Sequence, residues 1–306
     1  MKIKSGRILS CALLAVPGAG LTQAVDGAIT LGYGHSSVSN GRPDMSSYSA
    51  DGQGTVLFQN GFSLDLSGSL QHDNPRHGSN AGVLAGGAGL NYTFLSGPVV
   101  GAYLEYASMD SNGLVGRNVN ATSYGVTGGY DNDLFQAMLF FGGTNATAIR
   151  GSTSDWTDYG VTVAYTPMQS TTLAGYWMRS DITAPRGNTT ATSFGVGGDY
   201  AFFNGFSAFG GINRLNFDAL NVDATSFGVG VGYDLSQIAR LPAQLSLELA
   251  RTIVDPIGPN TNVDTVRVGV TIPLGLRDGS APLNSVAANA ISPRHNPVST
   301  FYDIIY

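Results

Sequence analysis

Histidine, serine and carboxylate are the side chains from which a hydrolytic site is assembled, and the sequence gathers them in a few polar stretches: His35 with Ser37, His72 with Asp73 and His77, and Asp110 further on. Such chemistry needs a base held beside a nucleophile and oriented by an acid. No hydrolase motif surrounds these residues. A metal site from His35, His72 and Asp73 is the other chemistry the residue types allow, but the candidate ligands lack regular spacing. They read instead as polar positions where ordered segments end, and the expectation is a chain that is not an enzyme and carries no metal or cofactor.

A second set of side chains is acidic. Asp51, Asp65, Glu105, Asp158, Asp199 and Glu248 all fall within segments that alternate between apolar and polar residues, as do Tyr103, Arg179 and Arg267. What these groups can do depends on the elements that aim them.

Those elements announce themselves in a repeated phrase: TSYGVTGGYD at 122–131, TDYGVTVAYT at 157–166, TSFGVGGDYA at 192–201 and TSFGVGVGYD at 225–234. Each copy places two aromatics six residues apart, as in Tyr124 and Tyr130 or Phe194 and Tyr200. A helix scatters positions six apart, whereas the two-residue period of a strand keeps them on one face. In the third copy that face is Phe194, Val196, Gly198 and Tyr200, and the opposite face is Ser193, Gly195, Gly197 and Asp199.

Residues 1–24 are basic at the start (Lys2, Lys4, Arg7), apolar from Ile8 to Leu21 and end in Thr22-Gln23-Ala24, which predicts a signal peptide cleaved after Ala24. Cys11, the one cysteine, lies inside it. The remainder has no lysine and 12 of the 15 basic residues against 21 acids, so it carries nine more negative than positive charges. That balance, without basic clusters, argues against a nucleic-acid partner. No other apolar run is long enough for a membrane helix.

Alternating segments run from 28 to 274. Short turns such as Asn60-Gly61, Ser96-Gly97 and Asn204-Gly205 take turns with longer stretches rich in Gly, Asn, Asp, Pro and Ser, such as 40–46, 110–120 and 181–190. The count is about fourteen strands. An even number of antiparallel strands with short turns at one end and longer loops at the other is the signature of a transmembrane β-barrel, closed because lipid tolerates no unpaired backbone edge. The spaced aromatics then form two interfacial girdles.

Signal peptide, alternating connections and girdle aromatics over 28–274 resemble Gram-negative outer-membrane barrels, with a strand count similar to the small monomeric fourteen-stranded porins. The resemblance is one of architecture and implies no particular functional residue. It implies an all-β, closed antiparallel barrel over 25–275 in the outer membrane, in contact with outer-membrane lipid and lipopolysaccharide, assembled by the barrel assembly machinery, and monomeric.

Strand parity turns Asp51, Asp65, Tyr103, Glu105, Asp158, Asp199, Glu248 and Arg267 inward, and Arg179 with them, so the lumen should favour cations. With many inward glycines, the expectation is passive diffusion of small hydrophilic solutes. The alternatives are a non-conducting structural or adhesive barrel, or a hydrolase working at the rim. The tail, 276–306, holds Pro282, Pro293 and Pro297 and ends in Tyr306. It can be a closing strand, a periplasmic extension or a lumen plug.

Overall fold

The computed structural model describes residues 24–39, 44–76, 80–111, 119–132, 134–147, 153–184, 187–218, 222–239, 241–255, 261–275 and 281–305. Fourteen strands follow one another: β1 (Ala24–Val38), β2 (Met45–Leu57), β3 (Phe62–Pro75), β4 (Ala81–Thr93), β5 (Pro98–Ser111), β6 (Val119–Asp131), β7 (Phe135–Thr147), β8 (Thr153–Met168), β9 (Thr171–Ala184), β10 (Gly187–Ala201), β11 (Phe206–Phe217), β12 (Val222–Asp234), β13 (Gln244–Asp255) and β14 (Thr261–Leu274). Each pairs antiparallel with its neighbours in sequence, and β1 pairs with β14 as well as β2, which closes the barrel. Among the described residues there are three short helices: α1 (Ser236–Ala239) between β12 and β13, then α2 (Val286–Ile291) and α3 (Pro297–Ile305) after the last strand.

Closure satisfies every strand edge, and alternation then sorts the side chains. Tyr124 and Val126 are 52% and 58% exposed, while Ser123 on the opposite face is fully buried against Thr144. A fold that exposes its aromatic and aliphatic face and buries its serines is inside out with respect to a water-soluble sheet. The aromatics gather near one end, where the rings of Phe62, Tyr92 and Phe94 meet in tilted and edge-on contacts with centroids 4.8 Å apart, and Tyr200–Phe202 and Phe206–Tyr233 do so at 4.7 Å.

The tight turns at that end work as their residues require. Gly61, Gly97 and Gly205 have φ of 84°, 102° and 79°, a left-handed conformation that glycine adopts without strain. Each lies just before the strand that the turn starts. Asn132 makes the equivalent turn through its side chain, which accepts from the N–H groups of Leu134 and Phe135.

At the opposite end the strands run further than the ten or so residues expected. Much of the polar stretch 181–190 belongs to β9 and β10, which are separated only by residues 185 and 186. A 13-residue strand is about 43 Å long, or roughly 33 Å along a barrel axis to which it is tilted by about 40°. That exceeds an apolar band of about 25 Å, so strand ends that project into water can be polar and still keep their ladder bonds.

Candidate functional site: the lumen and its C-terminal occupant

Eight of the nine side chains assigned to the lumen face inward: Asp51, Asp65, Tyr103 and Glu105 line the cavity inside the barrel, and Asp158, Asp199, Glu248 and Arg267 share the parity of the buried serines and threonines on their strands. Arg179 does not. It shares its face with Leu173 and Trp177, which are 53% and 39% exposed, and pairs with Asp181 at 3.2 Å on the outside of the barrel. The inward positions of β9 are Ala174, Tyr176, Met178 and Ser180. Because successive side chains point to opposite faces, an assignment of Trp177 outward commits Arg179 outward too.

Rim chemistry finds no support in the geometry. His35 is exposed on the outer face beside Ser46, at 3.4 Å. His72 is likewise exposed, 3.4 Å from Asn80, whereas its neighbour Asp73 is buried on the inner face, where Gln71 donates to it. His72 and Asp73 therefore point to opposite sides of one strand. His77 and the side chain of Asp110 lie outside the described residues. Among the described residues, no three metal-binding side chains come together.

The lumen is not empty. Residues 281–305 fold back into it and reach strands all around its wall. The Leu283 N–H donates to Thr30 of β1 (3.1 Å), Asn284 donates to Ser49 of β2 (3.2 Å), His295 and Asn296 donate to Glu105 of β5, and Asn213 of β11 donates to the Val286 carbonyl (2.8 Å). Thr252 of β13 donates to the Ile304 carbonyl at 3.1 Å. Only a segment inside a closed barrel can reach strands so far apart around it. Since β1 and β14 already pair, the described residues of the tail, 281–305, contribute no further strand.

Local sequence explains why this segment is helical. Ser285 caps α2, accepting from the Ala288 N–H at 3.1 Å. Asn296 accepts from the Ser299 N–H at 2.8 Å and is followed by Pro297, whose missing N–H is no loss at the first helical position. The helices pack against β9–β13, where the wall is carved to receive them. A Cβ on Gly211 would lie 2.9 Å from the Ala287 Cα, one on Gly197 would lie 2.7 Å from the Ala287 carbonyl oxygen, and one on Gly228 would lie 2.9 Å from the Val286 side chain. The inward glycines of β10, β11 and β12 are thus a seat for α2.

Around the seat the inner wall is apolar. Ala290 packs with Tyr103, Phe140, Tyr176 and Met178; Ile304 packs with Leu215 and Ala224; Val298 lies against the cluster of Trp156, Ile182 and Ala191. Sequence reasoning missed Tyr176, Met178, Phe209 and Leu215 as functional positions. Large apolar residues on the lumen parity, interleaved with glycine, were the available sign that something packs there.

Two buried wall carboxylates, Glu105 and Glu248, anchor the occupant. Glu105 accepts from the His295 N–H (3.0 and 3.2 Å), from Asn296 Nδ2 (3.0 Å) and faces His295 Nδ1 at 2.7 Å, while the imidazole stacks on Tyr103 with centroids 4.1 Å apart. Glu248 takes the Val286 N–H at 2.9 Å and the Arg267 guanidinium at 2.8 Å. Both carboxylates are buried, so their donors must be supplied by the protein. On the tail itself, Arg294 pairs with Asp303 at 3.5 Å, and burial pushes the Asp303 carboxyl up to about 6.

What the helices leave open is a cavity of about 490 Å³ that runs along β2–β5 and reaches β1, β6–β8 and β14. Ser47, Ser49, Asp51, Gln53, Asp65 and Ser67 line it from the barrel wall, and Asn284, Asn289, Ser292, Arg294, His295 and Asp303 from the tail. One side of the lumen is packed, and the other is open and lined largely by polar side chains.

No protein-family model and no curated protein matches the sequence. Solved structures do resemble the fold. An anion-selective porin from Comamonas acidovorans superposes with a TM-score of 0.51 at 12% identity, over 83% of this chain and 100% of that one. The CymD monoaromatic hydrocarbon channel superposes with a TM-score of 0.50 at 9% identity, over 83% and 89%. The fold is that of outer-membrane porins and channels. At such identities the likeness is one of architecture alone.

Proposed function

We propose that this barrel is an outer-membrane channel for the passive diffusion of small hydrophilic solutes, exported by a cleaved signal at residues 1–24, monomeric, and mildly cation-preferring. The observation that carries the reading is the eccentric polar cavity between the C-terminal helices and β2–β5. Its wall carboxylates Asp51 and Asp65 take their hydrogen bonds from neutral donors: Ser69 on Asp51 at 2.6 Å, and Thr55 and Asn91 on Asp65, each at 2.6 Å. The lumenal guanidiniums of Arg267 and Arg294, in contrast, lie against carboxylates. Low-dielectric walls focus the field of such charges on whatever passes.

Planar-bilayer recording of the refolded protein is the test. A steady conductance with a reversal potential favouring cations, reduced by Asp65→Asn, supports the proposal; silence across the voltage range sinks it. The packed helices favour a second reading, a non-conducting barrel whose lumen is sealed, and a silent wild type that conducts once the tail is removed would establish it.

A further inference from the structure

We propose that α3 is a lid inside the loop end of the lumen, hinged at residues 292–296, which swings free while α2 stays seated. On the channel reading such a lid gives a conductance with two levels; the motion itself does not depend on that reading. Position, fit and attachment each set α3 apart from α2.

The tail leaves the wall at the end with the tight turns, where Leu274 pairs with Gly27, and enters the lumen from there. α2 lies at mid-height. Gly197, Gly211 and Gly228 beneath it stand directly opposite one another across β10, β11 and β12, six to ten residues from the loop ends of those strands. α3 lies closer to the loops: Val298 packs against Trp156, Ile182 and Ala191, and Ile304 against Leu215 and Ala224, all two to four residues from the loop ends. The longer loops of an outer-membrane barrel face the exterior, so α3 is the helix nearer the outside.

The two helices also fit the wall differently. Val286, Ala287 and Ala290 of α2 are at most 1% exposed, and Val286 bonds the wall through both backbone groups, its N–H to Glu248 and its carbonyl to Asn213. Lifting α2 strips a donor from a buried carboxylate and leaves the glycine row facing a gap. α3 is seated less closely. A void of about 10 Å³ remains among Val298, Ser299, Val83, Ala85 and Ala107, and the Ser299 hydroxyl is buried with no hydrogen-bond partner. Water satisfies that hydroxyl once α3 is free, so release relieves a cost of docking.

Attachment completes the distinction. α2 ends at Ser292, and Pro293 and Pro297 bracket the link that follows, so the two helices cannot merge into one rod. Glu105 holds that link by three groups, the His295 N–H, His295 Nδ1 and Asn296 Nδ2, and is the latch. Two contacts tie α3 back to the rest of the tail: Asn289 donates to the Asp303 carbonyl at 2.6 Å, and Arg294 pairs with the Asp303 carboxylate at 3.5 Å. Both border the polar cavity, where water can replace them as the lid opens.

Residues 25–306 contain no cysteine, so single thiols report on each helix. Val286→Cys and Ser299→Cys place one on α2 and one on α3, at positions 1% and 3% exposed. The test is alkylation by N-ethylmaleimide of the protein refolded in detergent, with each rate divided by that of the same variant heat-unfolded in dodecyl sulfate. Position 299 should react at least about tenfold faster than position 286, because local opening exposes only α3. Adding Glu105→Gln, which keeps the shape of the latch and removes its charge, should speed position 299 by at least about fivefold and leave position 286 unchanged. Heat-modifiable migration on gels shows that every variant keeps its barrel. Equal rates at the two positions, no reaction at position 299 while the barrel is folded, or a Glu105→Gln effect that is absent or shared by both positions would overturn the proposal. Alkylation is independent of conduction. A moving lid in a barrel that is silent in bilayers defeats the channel reading alone, and a conducting barrel with both thiols equally protected defeats the lid alone.

Discussion

Glu105 on β5 holds His295 twice, accepting from its backbone N–H and facing its ring Nδ1 at 2.7 Å, across 190 positions of sequence. Removing the carboxylate strands several donors in a buried place and leaves the imidazole on Tyr103 without its anchor. Glu105→Ala should weaken docking of the tail by about 2–4 kcal/mol. Trypsin checks this: cleavage after Arg294, slow in the wild type, becomes rapid in the variant while the barrel stays intact.

Deleting residues 276–306 should leave a folded barrel, because closure rests on β1 and β14 rather than on the tail. Heat-modifiable migration should persist. Bilayer conductance should rise several-fold as the packed side of the lumen fills with water. Loss of folding on deletion would mean that the apolar patch of Tyr176, Met178 and Leu215 cannot exist uncovered.

Gly211 and Gly68 make a paired experiment. A side chain on Gly211 meets the Ala287 backbone at 2.9 Å, whereas one on Gly68 meets nothing within 4 Å. Gly211→Val should expel α2 and expose the tail to hydrogen exchange, with little change in barrel thermal stability. Gly68→Ala should be neutral to within about 0.5 kcal/mol.

The Asp303 carboxyl titrates near 6 in the docked tail, above its ordinary 3.8, because burial penalises its charge. A raised carboxyl disfavours the docked state above pH 6. That penalty fades as pH falls toward 3.8 and is absent below it. Hydrogen exchange of residues 281–305 should therefore slow between about pH 6 and pH 4 once intrinsic exchange is divided out. In Asp303→Asn this part of the dependence should vanish, which separates it from any contribution of the His295–Glu105 pair.

Arg179 lies on the outer face, so Arg179→Gln should leave the reversal potential where it is, while Asp65→Asn should shift it toward zero. A shift from the arginine variant would place that side chain in the field of the lumen after all.

The spacing of Tyr124 from Tyr130 and of Phe194 from Tyr200 revealed strands and their outward face, because a two-residue period is a local property, and the alternating short and long connections gave their number. Inward parity followed the same way for Asp51, Asp65, Glu105 and Glu248. Arg179 shows the limit of that reading: its direction follows from Trp177 only when one register is kept throughout the strand.

What the lumen contains was not legible. A polar inner face looks the same whether it meets water or a helix that satisfies it, and Gly197, Gly211 and Gly228 read equally well as bends, as open space or as a seat. Only the registers of β10, β11 and β12 bring those three glycines together, and only the chain beyond β14 brings Val286 and Ala287 to them. The sequence by itself determined which face of each strand points out of the barrel, with Arg179 on β9 the one lumen assignment that it misplaced. Tertiary structure decided how the space inside is divided between a packed helical segment and a polar cavity, because that division depends on contacts between residues nearly 200 positions apart, which no local pattern encodes.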